Sequence, residues 1–240
     1  MASGRPLLIP LSGPGQWDER VVGGKAAQLA DLSLAGFEVP QGFSLTTRAY
    51  EAFVNDAGIA AAISMELGRK SMDDMRWEEI WDTALRIRAR FLAQPLSGSL
   101  RETVAAGLRG FDAGASLAVR SSAVGEDSAG RSFAGLHESI IGVRGRQAVE
   151  DAIRLVWASL WSDAALLYRK ELGLDPAHSR MAVLVQEMVD ADPSGVAFAR
   201  DPRDTRKEHA VIEAVPGACS LLVDGLVDPD HWELDRRTHA

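Results

Sequence analysis

Cysteine is almost absent from this 240-residue sequence, Cys219 being the only one. A single thiol cannot close an intramolecular disulfide, and metal centres built on several thiolates are excluded. Excess positive charge is missing as well: 26 Lys and Arg stand against 34 Asp and Glu, a net charge of −8. That balance removes the general electrostatic grip by which proteins hold nucleic acid or an anionic membrane, but allows a local basic pocket for a small polyanion. No run approaches the roughly 18 apolar residues of a membrane span, and the first ten residues lack the charged-then-apolar layout of a secretory leader. We therefore expect a cytoplasmic protein with no nucleic acid and no membrane among its partners.

What is present is an ordinary globular mixture, 46% apolar and 25% charged, too apolar for a disordered tail and long enough for one sizeable core or two modest lobes. Gly23-Gly24 followed by Lys25-Ala-Ala-Gln-Leu reads as a turn opening a short helix that stops at Gly36. Thr46 or Thr47 caps a second helix carrying Tyr50, Phe53 and Val54, reached through a turn-rich extended link at residues 39–43. From about Asp74 to Phe91, Trp77, Ile80, Trp81, Ala84, Leu85 and Phe91 recur at helical spacing, and the two tryptophans read as core anchors. Strand-like runs begin only after Gly110, at residues 117–120, 138–143, 181–189, 195–199 and 209–214. Between them an amphipathic helix places Val149, Ala152, Ile153, Val156, Trp157, Leu160 and Trp161 on one stripe. Residues 190–194, with Pro193, read as a hairpin-like connection. The expected organisation is two lobes, 1–110 mostly helical with the Lys25 turn, and 111–240 α+β with the Arg120 loop and the Gln186 strand.

Three stretches can carry chemistry. Arg120 ends a strand and is followed by Ser121, Ser122 and, at residues 125–135, a loop with three glycines. An arginine fork beside backbone N–H groups that can fold over an anion makes a phosphate contact, and such a loop can act as a lid; a solvated glycine-serine loop reads equally well. Lys25 adds a movable point charge to a helix N-terminus, which is also an ordinary place for a surface lysine. The sequence there is not a phosphate-binding loop of the G-x-x-x-x-G-K-[ST] type, since Ala26 and Ala27 follow. The run Gln186-Glu187-Met188-Val189 ends an apolar strand on polar residues, where an adenine edge can pair with backbone groups; an edge strand meeting solvent is the alternative. Asp201-Pro202 and Asp228-Pro229-Asp230 read as turns, and the five histidines show no ligand spacing.

In this order these pieces resemble the N-terminal nucleotide-binding domain of the phosphoenolpyruvate synthase and pyruvate phosphate dikinase family. The likeness rests on Val22-Gly-Gly-Lys25-Ala-Ala-Gln-Leu, Gly36-Phe-Glu-Val-Pro-Gln-Gly-Phe43, Ala118-Val-Arg-Ser-Ser-Ala123 and Ser132-Phe-Ala-Gly135. It continues through Trp157-Ala-Ser-Leu-Trp161, Val185-Gln-Glu-Met-Val189, Ser194-Gly-Val-Ala-Phe198 and Gly225-Leu-Val-Asp-Pro-Asp230. The resemblance implies an α+β ATP-grasp fold of two lobes that binds ATP with Mg²⁺, here shortened at its C-terminal end. It further implies that Lys25 and Arg120 hold the phosphates, that Gly135 and Ser139 sit in the loop over them, and that Gln186, Glu187, Met188 and Val189 form the adenine-side hinge. In the family the phosphoryl group passes to a phosphohistidine domain and then to pyruvate on a further domain, or to an antibiotic hydroxyl in the rifampin phosphotransferase branch. Two departures stand out. Gly217-Ala218-Cys219-Ser220 replaces the usual Gly-Leu-Gly-Glu, and the later acidic and glutamine-to-arginine segments have no counterpart in the last 20 residues. The chain alone is thus expected to be inactive, serving as the ATP-binding part of a phosphotransferase; a non-catalytic nucleotide-binding or regulatory module and a rifampin phosphotransferase-like domain are the alternatives.

Overall fold

The computed structural model describes residues 6–12, 17–124, 136–204, 206, 208–217 and 219–238. They divide into two units, Met1–Met188 and Val189–Ala240. In the first, β1 (Leu8–Pro10) leads through α1 (Glu19–Val22) and α2 (Gly24–Leu34) to β2 (Gly42–Leu45). Four helices follow: α3 (Thr47–Asp56), α4 (Ile59–Gly68), α5 (Trp77–Ala93) and α6 (Gly98–Leu108). The hairpin of β3 (Leu117–Ala123) and β4 (Ser139–Val143), then α7 (Arg146–Ser159), α8 (Asp163–Glu171) and β5 (Met181–Glu187), complete it. The second unit holds β6 (Ser194–Phe198), β7 (His209–Val215), α9 (Ser220–Val223) and β8 (Asp230–Asp235), its strands forming an antiparallel sheet in the order β6-β7-β8.

The first unit is built on an antiparallel sheet in the order β1-β2-β5-β3-β4. Because side chains alternate along a strand and directly paired residues share a face, the register sorts this sheet into two sides. Phe43, Val185 and Val119 form one cross-strand row, backed by Leu117, Leu45 and Val183, and pack on the helical layer. That layer supplies Tyr50, Phe53, Phe91 and Trp157; the rings of Phe53 and Trp157 stack with centroids 5.1 Å apart. Two buried polar handles are matched: the Trp157 indole N–H donates to the Met181 carbonyl at 3.2 Å, and the Trp161 N–H to the Tyr50 hydroxyl at 2.9 Å. On the opposite side Leu184 packs with Leu11, Val22 and Ala26 beneath α1 and α2.

The α+β class and the stripe from Val149 to Trp161 agree with the sequence, every residue of that stripe being buried. Three expectations are corrected. The lobe boundary near residue 110 cuts through the sheet, because β5 pairs with β2 on one side and β3 on the other; the units divide after Met188 instead. For the same reason residues 190–194 are no hairpin: both edges of β5 are taken, so the chain leaves for a different sheet. Trp77 and Trp81 are not core anchors, being 57% and 47% exposed. Helix α5 carries two apolar stripes, and it buries the one with Ile80, Thr83, Ala84, Ile87 and Phe91, whose small members let α5 approach its neighbours closely.

The contrast is measurable by chemical denaturation. Trp157→Ala should cost about 3–5 kcal/mol, as for other large-to-small changes in cores, and Trp77→Ala less than about 1 kcal/mol. Equal losses would reverse the assignment of the buried stripe.

Candidate functional site

The side of the first sheet that carries α1 and α2 gathers Lys25, Arg120 and Ser139 of the residues singled out from the sequence. Residues Ser44, Leu184, Arg120 and Ser139 are successive partners across β2, β5, β3 and β4, so Arg120 and Ser139 lie side by side on this face. Two residues along β3 from Arg120 stands Ser122, whose fully buried hydroxyl donates to the Val22 carbonyl at 2.9 Å and accepts from the Ala26 N–H at 3.2 Å. The Ser44 hydroxyl adds a second bond to the Val22 carbonyl at 3.3 Å. These bonds pin the α1–α2 turn onto the strands, and with it Lys25, the second residue of α2.

Gly23 makes the docking possible. Its φ of +78° suits a residue without a side chain, and a Cβ there would meet the Ser122 carbonyl oxygen at 1.9 Å. Gly23 itself brings no side-chain cap to the helix it opens, Ser122 accepting from the Ala26 N–H instead, and Lys25 stands where the helix dipole is positive. Arg120 is half-buried and, among the described residues, makes no ion pair. Lys25 is half-buried too, and its charge reaches His137. Burial, then the charges of Arg169 and Lys25, hold the His137 imidazole down to about 4. Arg169 is itself buried, which lowers it to about 10, and its guanidinium donates to the carbonyls of Leu160 at 2.8 Å and Ala165 at 3.0 Å. The local field is therefore positive in a chain whose net charge is negative, an arrangement suited to an anion.

The remaining candidates fall differently. Gln186 faces the same side as Arg120, but it is buried and its amide donates to the Pro40 carbonyl at 3.1 Å, a bracing contact with the link before β2. Glu187 pairs with Leu117 and so points to the opposite face. The Glu187 N–H is taken by the Gln41 carbonyl at 2.8 Å and the Met188 N–H by that of Ser116 at 2.9 Å. The Met188 sulfur accepts from the Gly142 N–H at 3.0 Å and the Ser116 hydroxyl at 3.7 Å. Val189 belongs to the second unit, and Gly135, with the rest of residues 125–135, lies outside the described residues. The Asp201 carboxylate accepts from the Arg203 N–H at 2.8 Å, as a turn former does. Among the described residues no group of three His, Cys, Asp or Glu could hold a metal ion. Sequence reasoning missed the structural roles of Ser122 and Ser44; Ser122, two residues after Arg120, was the visible signal, but its partner Val22, 100 residues away, was not.

Residues 19–240 match a family model described as pyruvate phosphate dikinase, AMP/ATP-binding domain. Over 90% of its length the chain is 38% identical to a phosphoenolpyruvate synthase of Aeropyrum pernix. Over 91% it is 38% identical to a rifampicin phosphotransferase of Streptomyces sviceus, and over 96% it is 34% identical to the prodigiosin synthesizing transferase PigC of Serratia marcescens. It spans about a quarter of the length of these relatives, 27%, 26% and 24% respectively.

Replacing Gly23 by Ala should destabilise the fold by more than about 2 kcal/mol, since backbone must move. Gly36→Ala, where a Cβ meets nothing within 4 Å, should cost only the left-handed strain of roughly 1 kcal/mol. Similar unfolding midpoints for the two variants would refute the docking role. His137 makes a pH prediction. Its folded value, about 4, lies below the unfolded 6.5, so the unfolded chain takes the proton first and stability falls as pH drops from about 6.5 to 4. The full effect is on the order of 3 kcal/mol. Denaturant unfolding at pH 7 and pH 4.5 should therefore show a smaller acid loss in His137→Gln than in the parent; identical losses would remove the buried neutral imidazole as the cause.

Proposed function

The chain belongs to the pyruvate phosphate dikinase AMP/ATP-binding domain family, and from that premise we propose that the Arg120–Ser139–Lys25 face binds the phosphates of ATP. One observation carries this reading: a half-buried arginine without an ion pair among the described residues, set across from Ser139 and two residues from the serine that docks the Lys25 turn. The planar guanidinium of Arg120 suits two phosphate oxygens at once, while Lys25 supplies a compact charge that can follow the chain of phosphates. Ser139 adds a hydroxyl at the start of β4. We read the α+β fold as ATP-grasp, with Gly135 in the loop over the nucleotide and residues 186–189 on its adenine side.

Phosphoryl transfer depends on positioning and charge neutralisation more than on covalent chemistry by the protein. In our reading this chain supplies the nucleotide-binding part of a dikinase-type phosphotransferase that makes phosphoenolpyruvate from pyruvate and ATP. A phosphohistidine domain and a pyruvate- or phosphoenolpyruvate-binding domain are its partners. The chain by itself binds nucleotide without completing the transfer. The relatives share this domain under names that refer to phosphoenolpyruvate, rifampicin and prodigiosin, which supports placing the choice of acceptor elsewhere. In this reading Mg²⁺ accompanies the nucleotide as its counterion. A second reading, a binding module without catalysis, is favoured by Ser220 at the position of the family glutamate.

Calorimetric titration with ATP, with and without Mg²⁺, tests the assignment. Arg120→Ala should lose about 1.5–3 kcal/mol of binding, the range for hydrogen bonds to charged groups. Undiminished affinity in that variant would take Arg120 out of the site, and affinity indifferent to Mg²⁺ would favour the module without catalysis.

A further inference from the structure

A cavity of about 600 Å³ opens at the end of the first sheet where β3 finishes and β5 begins, away from the middle of β3 where Arg120 sits. Neither Arg120, Lys25 nor Ser139 lines it. Its charged wall is made by Arg20, Arg169, Arg180 and Asp175, with His137 and His178 between them. Three arginines thus line one opening in a chain of net charge −8. Asp175 is the one carboxylate among the lining residues; it accepts from the Ala177 N–H at 2.9 Å and lies 2.9 Å from His178 Nδ1, so three guanidinium charges stand against one carboxylate charge.

The three arginines differ in what they can do. Arg169 is 5% exposed and its Nη1 is committed to two backbone carbonyls, so it contributes a fixed charge. Arg180 pairs with Glu51 at 2.9 Å, but both side chains are well exposed, 56% and 37%, and such a pair is weak enough to exchange for a better acceptor. Arg20 is exposed at the start of α1, where its N–H is held by Asp18 and its carbonyl by the Thr47 hydroxyl, which fixes the backbone from which the guanidinium reaches. One buried arginine and two exposed ones lining the same opening suit a dianion, whose oxygens a guanidinium can take two at a time, better than a chloride ion.

We propose that this cavity is a second anion site, taking a phosphate-class dianion with Arg20 and Arg180 as its donors and Arg169 as its fixed charge. It stands whether or not nucleotide occupies the Arg120 face. The dianion has two possible sources, free phosphate or the terminal phosphate of a bound nucleotide, and one experiment separates them.

Inorganic phosphate is titrated into the purified chain at constant ionic strength with chloride as the balancing anion, following the imidazole resonances of His137 and His178 by NMR. The expected result is a saturable shift of both histidines. Arg20→Ala and Arg180→Ala, both exposed and so expected to leave the thermal midpoint unchanged, should each weaken binding roughly tenfold. Arg120→Ala should leave phosphate binding unchanged. Phosphate that stays bound at saturating ATP identifies a free oxyanion as the ligand; phosphate displaced by ATP, with ATP itself weakened in Arg20→Ala, identifies the terminal phosphate of the nucleotide. Shifts that never saturate, or that persist undiminished in the Arg20→Ala/Arg180→Ala double variant, overturn the proposal.

Discussion

The contact between Gly23 and Ser122 governs the geometry of the face that carries Lys25, Arg120 and Ser139. Helix α2 buries only Gly24, Ala26 and Ala30, and at about 0.8 kcal/mol per buried methylene two alanines cannot fix a helix on a sheet. The Ser122 hydroxyl, bonded on both sides of the turn, contributes a comparable stabilisation of about 1 kcal/mol per bond. Its larger effect is directional, since either partner left unpaired in this buried spot would cost about 1–3 kcal/mol. The absence of a Cβ at residue 23 lets the two backbones approach closely enough for both bonds to form. Move that turn outward, and Lys25 leaves the face on which Arg120 and Ser139 are held by strand register.

Charge in this region is arranged by the different reserves of its titratable groups. Burial disfavours the charged form of Arg169 and of His137 alike. Arg169 starts far above neutrality and, lowered to about 10, is still a cation at neutral pH, held by backbone carbonyls. His137 starts at 6.5 and, lowered to about 4 by burial and by the neighbouring cations, gives up its proton. The imidazole therefore adds no positive charge in the resting protein. Tyr50 follows the same logic on the core side, where burial lifts its hydroxyl above the usual range and keeps it a neutral acceptor for Trp161.

How much of this was legible in the sequence depends on whether a feature is local. The stripe from Val149 to Trp161 was, because seven positions at helical spacing leave one face to bury. Gly23, Lys25 and Arg120 were legible as candidates, because glycine, lysine and arginine each have a short list of uses. The exposed Trp77 and Trp81 were not: α5 offers two apolar stripes, and the choice between them is made by the neighbouring helices rather than by α5 itself. The division of the chain was hidden for a related reason. Strands β1 and β2 are three and four residues long inside a mostly helical stretch, and their pairing partners come more than 100 residues later in the case of β2. Non-local pairing of this kind leaves no periodic trace.

The end of β5 shows why a correct stretch does not guarantee correct roles. Residues 186–189 were singled out because an apolar strand turns polar there, yet alternation sends neighbours to opposite faces. Gln186 looks toward the Arg120 side and Glu187 away from it, so the two cannot serve one small ligand on that side through their side chains. The amides of Glu187 and Met188 are already given to Gln41 and Ser116. What these residues retain for a nucleobase is acceptor capacity in their carbonyl oxygens. Under the proposed adenine-side role, a hinge that offers acceptors would select a base edge that donates, which the 6-amino group of adenine does and the 6-oxo group of guanine does not. On that proposed reading, discrimination at this strand end would follow from which backbone groups the sheet has already used, a property of register that the sequence of residues 186–189 does not contain.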